Sequence, residues 1–244
     1  MPEPGQTVVV MIPTYNEREN IAALVGGILA LPPAQEILVL VVDDDSPDGT
    51  ADEVARLARE DARVRLLLRR KRRGRGAAGI DGFKEALRLG ADFVIELDGD
   101  GSHRPSHILE LLRAAGSADL VLGSRFVKGG RDADRSWHRR LITLLVRSFV
   151  RRHLRLKVRD VSSGFRCFRR GALERIDLDD LISVGPSVVL ETLYKAHRLG
   201  CSIVEVPIVF MDRRGGKTKL GALTLLETLV MVLQLKKRYV PGTR

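Results

Sequence analysis

The stretch DFVIELDGDGSH, residues 92–103, decides the fold. It opens with a short apolar run, Asp92–Leu97, and ends abruptly in Asp98-Gly99-Asp100. A run too short for a typical helix and bounded by polar and glycine residues reads as a buried strand. The same pattern recurs at Thr7–Ile12, Glu36–Val42, Val64–Leu68 and Asp119–Leu122. Helical patterns lie between these runs, around Glu17–Leu31, Thr50–Glu60, Ala77–Leu89 and Pro105–Ala115. Such alternation predicts an α/β fold with a mostly parallel central sheet flanked by helices. Helix starts agree with it: Ser46-Pro47-Asp48 precedes the second helix and Ser102 to Pro105 the fourth.

After Gly123 the alternation gives way to a basic helical segment, Trp137 to Arg155, and then to a glycine-containing turn at Gly164-Phe165-Arg166. A helix at Pro186–Leu199, a strand at Ile203–Val209 and a C-terminal amphipathic helix from about Leu220 to Arg238 complete the reading. We therefore expect one domain over residues 1–220 and an appended helix and tail over 221–244, a division that a chain of 244 residues accommodates.

Composition narrows the class. The 41 Lys and Arg against 31 Asp and Glu give +10, which favours anionic partners: nucleotide phosphates, anionic lipid or nucleic acid. Cys167 and Cys201 form no CxxC pair, so they supply neither a disulfide framework nor zinc spacing, and read as inert core thiols. The N-terminal MPEPGQTVVVMIP reads as a first strand, because it lacks a basic region followed by a long apolar one. Leu220 to Leu235 contains Glu227 and Gln234 and falls short of the roughly 20 apolar residues of a spanning helix, so membrane association is expected to be peripheral.

Ligands gather at the carboxyl ends of the strands of an open parallel sheet. Three polar clusters fall there: Pro13-Thr14-Tyr15-Asn16-Glu17, Asp43-Asp44-Asp45, and Asp98 to His103. An Asp-Gly-Asp at a strand end suits a hard cation that is held by one or two carboxylates and also binds substrate phosphates. Three adjacent aspartates are costly unless solvated, hydrogen-bonded or neutralised, and a nucleoside amide or ribose hydroxyl would supply such bonds. Tyr15 offers a flat face to a base, although a lone Tyr after a strand is more often packing. His103, in a Ser-His-Arg-Pro helix start, suits a cap or positioning role better than catalysis.

Arg125 follows the fifth strand on the same edge, and Arg213, Arg214, Lys217 and Lys219 surround Gly215-Gly216 in a basic loop suited to a diphosphate. The block Arg69 to Arg75 is not specific: nucleic acid, nuclear import and acidic lipid heads all fit it. In the helix at 137–155, Arg140, Arg147, Arg151 and Arg155 accompany an i, i+4, i+8 line of Leu141, Leu145 and Phe149. That pattern fits either a membrane interface or an apolar side packed on the core.

Taken in order, these motifs resemble the polyprenol-phosphate (dolichol-phosphate) mannosyltransferases of the GT-A glycosyltransferases. The likeness runs through Ile12-Pro13-Thr14-Tyr15-Asn16-Glu17, Val42-Asp43-Asp44, Ser46-Pro47-Asp48-Gly49-Thr50, Asp98 to His103 and Gly123-Ser124-Arg125. It continues through Asp160 to Arg166, Glu205-Val206-Pro207, Asp212-Arg213 and Lys219-Leu220-Gly221. The resemblance implies that Pro13, Tyr15, Glu17, Val42 and Asp44 contact the nucleoside, and that Asp98, Gly99 and Asp100 hold sugar nucleotide and metal, with Ser102 near the metal. It implies that Arg125, Arg213 and Lys219 engage diphosphate or acceptor phosphate and, with Asp98 and Asp100, carry catalysis, while Arg139 and Thr143 form an acceptor-side pair.

The implied reaction is metal-dependent, inverting transfer of mannose from GDP-mannose to a polyprenyl phosphate, with Mg²⁺ or Mn²⁺ as cofactor. The implied setting is the cytoplasmic face of a membrane, reached peripherally or through a membrane partner protein, with no nucleic-acid partner. Two departures stand out: Asp98-Gly99-Asp100 replaces the usual Asp-Ala-Asp, and Leu144-Leu145-Val146-Arg147 follows Thr143 where relatives carry Arg or Lys, small residues and Asn. Two other readings compete: a transferase using UDP-glucose or another donor or acceptor, and an anionic-surface binding module. A nicotinamide oxidoreductase is disfavoured, because no GxGxxG follows the first strand.

Overall fold

The structure, a computed structural model, describes residues 5–32, 37–71, 73–132, 137–211 and 222–239, and no side chain in 137–140 or 222–228. The five apolar runs are strands: β1 (Val8–Thr14), β2 (Ile37–Asp43), β3 (Val64–Leu68), β4 (Phe93–Glu96) and β5 (Leu120–Ser124). All seven residues of β1 are buried, as expected of a strand covered on both faces. The intervening helices are α1 (Arg18–Leu29), α2 (Thr50–Glu60), α3 (Arg75–Arg88) and α4 (His107–Ala115). Beyond β5 come β6 (Arg131–Asp132), α5 (Trp137–Leu154), β7 (Arg166–Arg169), α6 (Arg170–Ile176), α7 (Val188–Arg198), β8 (Ile203–Pro207), β9 (Val209–Phe210) and α8 (Ala222–Arg238).

Seven strands form one sheet in the order β3-β2-β1-β4-β7-β5-β8. All pairings are parallel except those of β7, which runs antiparallel between β4 and β5. Side chains alternate between two cores. Val8, Val10 and Ile12 meet Ile21 of α1, Val54 of α2 and Leu111 of α4 on one face. Val9 and Met11 join Phe83 of α3, Leu173 of α6, Leu193 of α7, Val150 and Leu154 of α5, and Val232 and Leu235 of α8 on the other. No helix among the described residues is long and apolar enough to cross a membrane.

Two differences from the sequence reading have physical causes. The expected turn at Gly164-Phe165-Arg166 leads into β7, whose Cys167 enters one core and Phe168 the other. An arginine at each end hid that strand, and the buried Arg166 is compensated by Glu96, Nη2 to Oε2 3.5 Å, and by donating to Val189 O at 2.7 Å and Thr192 Oγ1 at 3.0 Å. The strand expected over Ile203–Val209 is interrupted at Ile208, and β9 leaves the large sheet to pair with β6.

Candidate active site

Because β3 and β4 lie on opposite sides of the β2-β1 pair, the chain reverses its winding between β1 and β4. The carboxyl ends of those two strands border the crevice where such sheets bind ligands. Tyr15 stands there about half exposed, after Pro13 and Thr14, which are buried. Its loop is tied down from below. Asp48 Oδ2 accepts Arg18 N–H at 3.1 Å, its Oδ1 accepts Thr50 N–H at 2.9 Å, and Glu17 N–H donates to Thr50 Oγ1 at 3.0 Å. The starts of α1 and α2 are thereby joined beneath Tyr15. Asn16 adopts φ 61°, a left-handed conformation that Asn tolerates, and its N–H is held by Ser46 Oγ at 3.0 Å.

The three aspartates after β2 find protein partners. Asp43 is fully buried and accepts from Thr14 Oγ1 at 2.9 Å, Ser46 N–H at 2.9 Å and Ser46 Oγ at 2.7 Å. Asp44 is paired with the buried Arg69 and also accepts the Gly74 N–H at 2.7 Å, and Arg73 reaches Asp45 at 2.6 Å. Arg69 continues to Asp81 at 2.8 Å. Val42 is buried in the core, so its backbone alone is left to face a ligand. Arg69 and Arg73 of the Arg69–Arg75 block are thus paired with carboxylates, while Arg70 and Lys71 are exposed.

Asp98 emerges from β4 with its side chain one-third exposed, at 32%. Its Oδ1 is approached by Arg75 Nη2 at 3.1 Å and Nε at 3.3 Å, and its Oδ2 lies 3.5 Å from His103 Nε2. Burial works against the charge, but Arg75 first and His103 next outweigh it and hold the carboxyl well below the usual carboxylate range. His103 is buried between Phe165 and Phe210, with ring centroids 4.9 and 5.3 Å away, and among the described residues neither ring nitrogen makes a hydrogen bond, so it caps no helix. Gly99 is packed against β1: a Cβ there would lie 3.0 Å from Thr14 Cγ2.

Asp100 is buried and accepts the Ser102 N–H at 3.0 Å, while the buried Ser102 Oγ has no hydrogen-bond partner among the described residues. Among the described residues no group of three or more His, Cys, Asp or Glu is placed to hold a metal ion unaided. Two carboxylates and an unsatisfied hydroxyl at one strand end do fit a hard cation that takes its remaining oxygens from water and a bound diphosphate.

Across β5, Arg125 is clamped. Its Nε and Nη2 donate to the two oxygens of Asp160 at 2.8 Å each, Nη2 also reaches Ser162 Oγ at 2.8 Å, and the Arg125 N–H meets Asp160 Oδ2 at 3.1 Å. Burial penalises both charges, but the pairing prevails, raising Arg125 and lowering Asp160 from their ordinary values. Among the described residues Arg125 Nη1 makes no hydrogen bond. A cleft of about 790 Å³ opens beside it, lined by Arg125, Phe126, Gly130, Arg131 and Asp132, and by Leu141, Thr143, Leu144 and Arg147 of α5. Arg147 stacks on Phe126 at 4.1 Å, and burial together with Arg151 pulls its pKa down.

Thr143 therefore joins Arg125 at one cleft, as do Leu144 and Arg147 from the unusual segment after it. Arg139 lies in the first turn of α5, but its side chain, like all of Arg213 and Lys219, lies outside the described residues. Sequence reasoning gave no role to Glu96, met Arg75 only within the basic block, and met Asp160 and Arg166 only as parts of a motif. The available signal was Glu96 itself: a carboxylate inside the apolar run Phe93–Leu97 demands a buried cation.

The model of glycosyl transferase family 2 matches residues 9–177. The chain belongs to that family. This glycosyltransferase is 40% identical over 235 residues to the polyprenol monophosphomannose synthase of Mycolicibacterium smegmatis, covering 95% of this chain and 87% of the relative. The undecaprenyl-phosphate mannosyltransferase of Micrococcus luteus is 40% identical over 225 residues, 92% of each chain. The dolichol-phosphate mannosyltransferase of Pyrococcus furiosus is 35% identical over 234 residues, 94% of this chain and 64% of its own length. In fold, the transferase is similar to glucosyl-3-phosphoglycerate synthase from Mycobacterium tuberculosis in complex with UDP, with a TM-score of 0.70 at 20% identity over 98% of this chain and 82% of that one. The same enzyme in complex with Mn²⁺, UDP and phosphoglyceric acid gives 0.67 at 19% identity, over 98% and 81%.

Proposed function

We propose that this glycosyltransferase moves mannose from GDP-mannose to a polyprenyl phosphate, inverting the sugar carbon and depending on a divalent metal, Mg²⁺ or Mn²⁺. One observation carries the acceptor side. Arg125, pinned by Asp160 and Ser162 with Nη1 uncommitted among the described residues, lines a cleft that runs onto exposed apolar side chains of α5. A ligand with an anionic head and an apolar tail fits that combination. The names of the relatives above support the same acceptor class and the same sugar.

The donor side rests on the crevice between β1 and β4. Tyr15, Glu17 and the backbone around Val42 would meet the nucleoside, beside Pro13 and the Arg69-held Asp44. Asp98, Asp100 and Ser102 would hold the metal, which supplies charge neutralisation for the departing diphosphate. A phosphate monoester loses its second proton near pH ~6, so the acceptor is already largely dianionic at neutral pH and needs no strong general base. Arg125, with Arg139 and Thr143, would seat it, and Arg213 and Lys219 would complete the diphosphate contacts. The protein's task is alignment and charge stabilisation.

The apolar line Leu141, Leu145 and Phe149 is turned outward, at 48%, 62% and 38% exposure, while Val150 and Leu154 of the same helix enter the core. Arg152 and Arg155 accompany it, and Leu233 of α8 is also exposed. This face is suited to rest on an anionic bilayer, each well-placed cation contributing about 1 kcal/mol.

Purified protein should be given radiolabelled GDP-mannose, beside UDP-glucose, with polyprenyl phosphate in detergent, Mg²⁺ or Mn²⁺, or chelator. Metal-dependent label in lipid from GDP-mannose supports the proposal. Lipid labelling from UDP-glucose instead would sink the donor assignment, and donor hydrolysis without lipid labelling would sink the acceptor.

A further inference from the structure

Arg75 opens α3 and bridges two carboxylates, Asp98 just beyond β4 as above and Glu96 at its end, with Nη1 to Glu96 Oε1 at 2.8 Å. Glu96 is fully buried, and its Oε2 has no hydrogen-bond partner among the described residues. That oxygen lies 3.5 Å from Arg166 Nη2, at ion-pair distance. An unfilled acceptor in a buried carboxylate is costly, so its retention calls for a use. The guanidinium beside it already carries one of its nitrogens on Glu96 and two on Asp98.

We propose that Arg75 is a positioning residue that occupies Asp98 when the site is empty, yields that carboxylate to the divalent cation, and withdraws onto Glu96. The proposal rests on the metal-dependent reading above. A doubly charged ion bound at Asp98 Oδ1 would compete with the Arg75 guanidinium that already holds that oxygen, because the like charges repel at that range. Displacing Arg75 into water is not required, since Glu96 offers a charge of the right sign on the buried side. Gly164 lies against the pair: a Cβ there would come within 3.2 Å of Asp98 Oδ2 and 3.6 Å of Arg75 Nη2, so any side chain at this position would crowd the exchange. The consequence is a metal affinity held down until a diphosphate arrives to help, so that ion and donor load together.

Mn²⁺ titration of the donor-free protein, followed by the electron paramagnetic resonance of free Mn²⁺ with and without GDP, reads this directly. R75M and R75Q remove the charge, and Gln can still donate to Glu96 should Met prove unstable. R75K keeps the charge. Thermal melts establish that each variant is folded. The expected result is at least tenfold tighter Mn²⁺ binding without GDP in whichever uncharged variant folds, near wild-type affinity in R75K, and loss of the gain when D98N is added. Unchanged or weaker binding in folded R75Q, with a measurable wild-type site, overturns the role of Arg75 and leaves the metal site standing. Absence of Mn²⁺ binding to wild type and variants alike, with GDP present, overturns the metal reading and this proposal together.

Discussion

Removing the Asp160 carboxylate should expose how Arg125 is held. The pair is buried, with side chains 7% and 0% exposed, and joined by two hydrogen bonds of 2.8 Å. Asp160 also accepts the backbone N–H groups of Arg125 and Ser162, at 3.1 and 3.3 Å. D160A therefore leaves a buried guanidinium and two N–H groups uncompensated, and breaking a buried pair from one side costs about 3–5 kcal/mol. At about 2–4 °C per kcal/mol for a protein of this size, the melting temperature should fall by about 6–20 °C. Reversible urea unfolding is the assay, run on D160N, R125M and the double variant as well. A coupling energy of about 2 kcal/mol or more is expected, because each side chain is a large part of the other's solvation. A coupling below about 0.5 kcal/mol, or a loss below about 1 kcal/mol in D160A, would refute the argument that Asp160 is what holds Arg125 in place.

The same pair should make stability pH-dependent: the folded-state pKa of Asp160 is lowered, so its contribution is present above about pH 4 and disappears as pH falls through the folded value. Urea midpoints between pH 7 and pH 3 should therefore fall less steeply in D160N than in wild type. G76A should cost about 1–3 kcal/mol, because a Cβ would sit 2.6 Å from the Val184 carbonyl that caps the start of α3, and urea unfolding reads it. Burial pushes the Cys167 thiol up to about 12, so iodoacetamide at pH 8 should leave it unlabelled until the protein unfolds. L141E/L145E should leave the melting temperature within about 2 °C, since both side chains face outward, yet reduce sedimentation with anionic vesicles at least fivefold. Unaltered sedimentation would remove α5 from the docking surface.

Legibility followed the range of the interactions. Strand β1 was plain because its apolar run is continuous, and Asp48 announced α2 because it bonds within two residues, to Thr50 at 2.9 Å. The carboxylates at the sheet edge were equally plain, since strand ends and Asp-Gly turns are local features. Strand β7 was missed because its arginines obscure the two-sided pattern of Cys167 and Phe168.

Sequence by itself determined the alternation of strands and helices, the edge on which chemistry gathers, and the motifs that mark a glycosyltransferase. Those depend on side-chain period and turn chemistry, which act over a few residues. Only the tertiary structure decided which charges meet. Arg75 reaches Glu96 across 21 residues and Arg125 reaches Asp160 across 35, and no local pattern encodes such a pair. It also decided that Leu141 and Leu145 face outward: an amphipathic helix declares an apolar side, but what covers that side is set by where neighbouring elements pack.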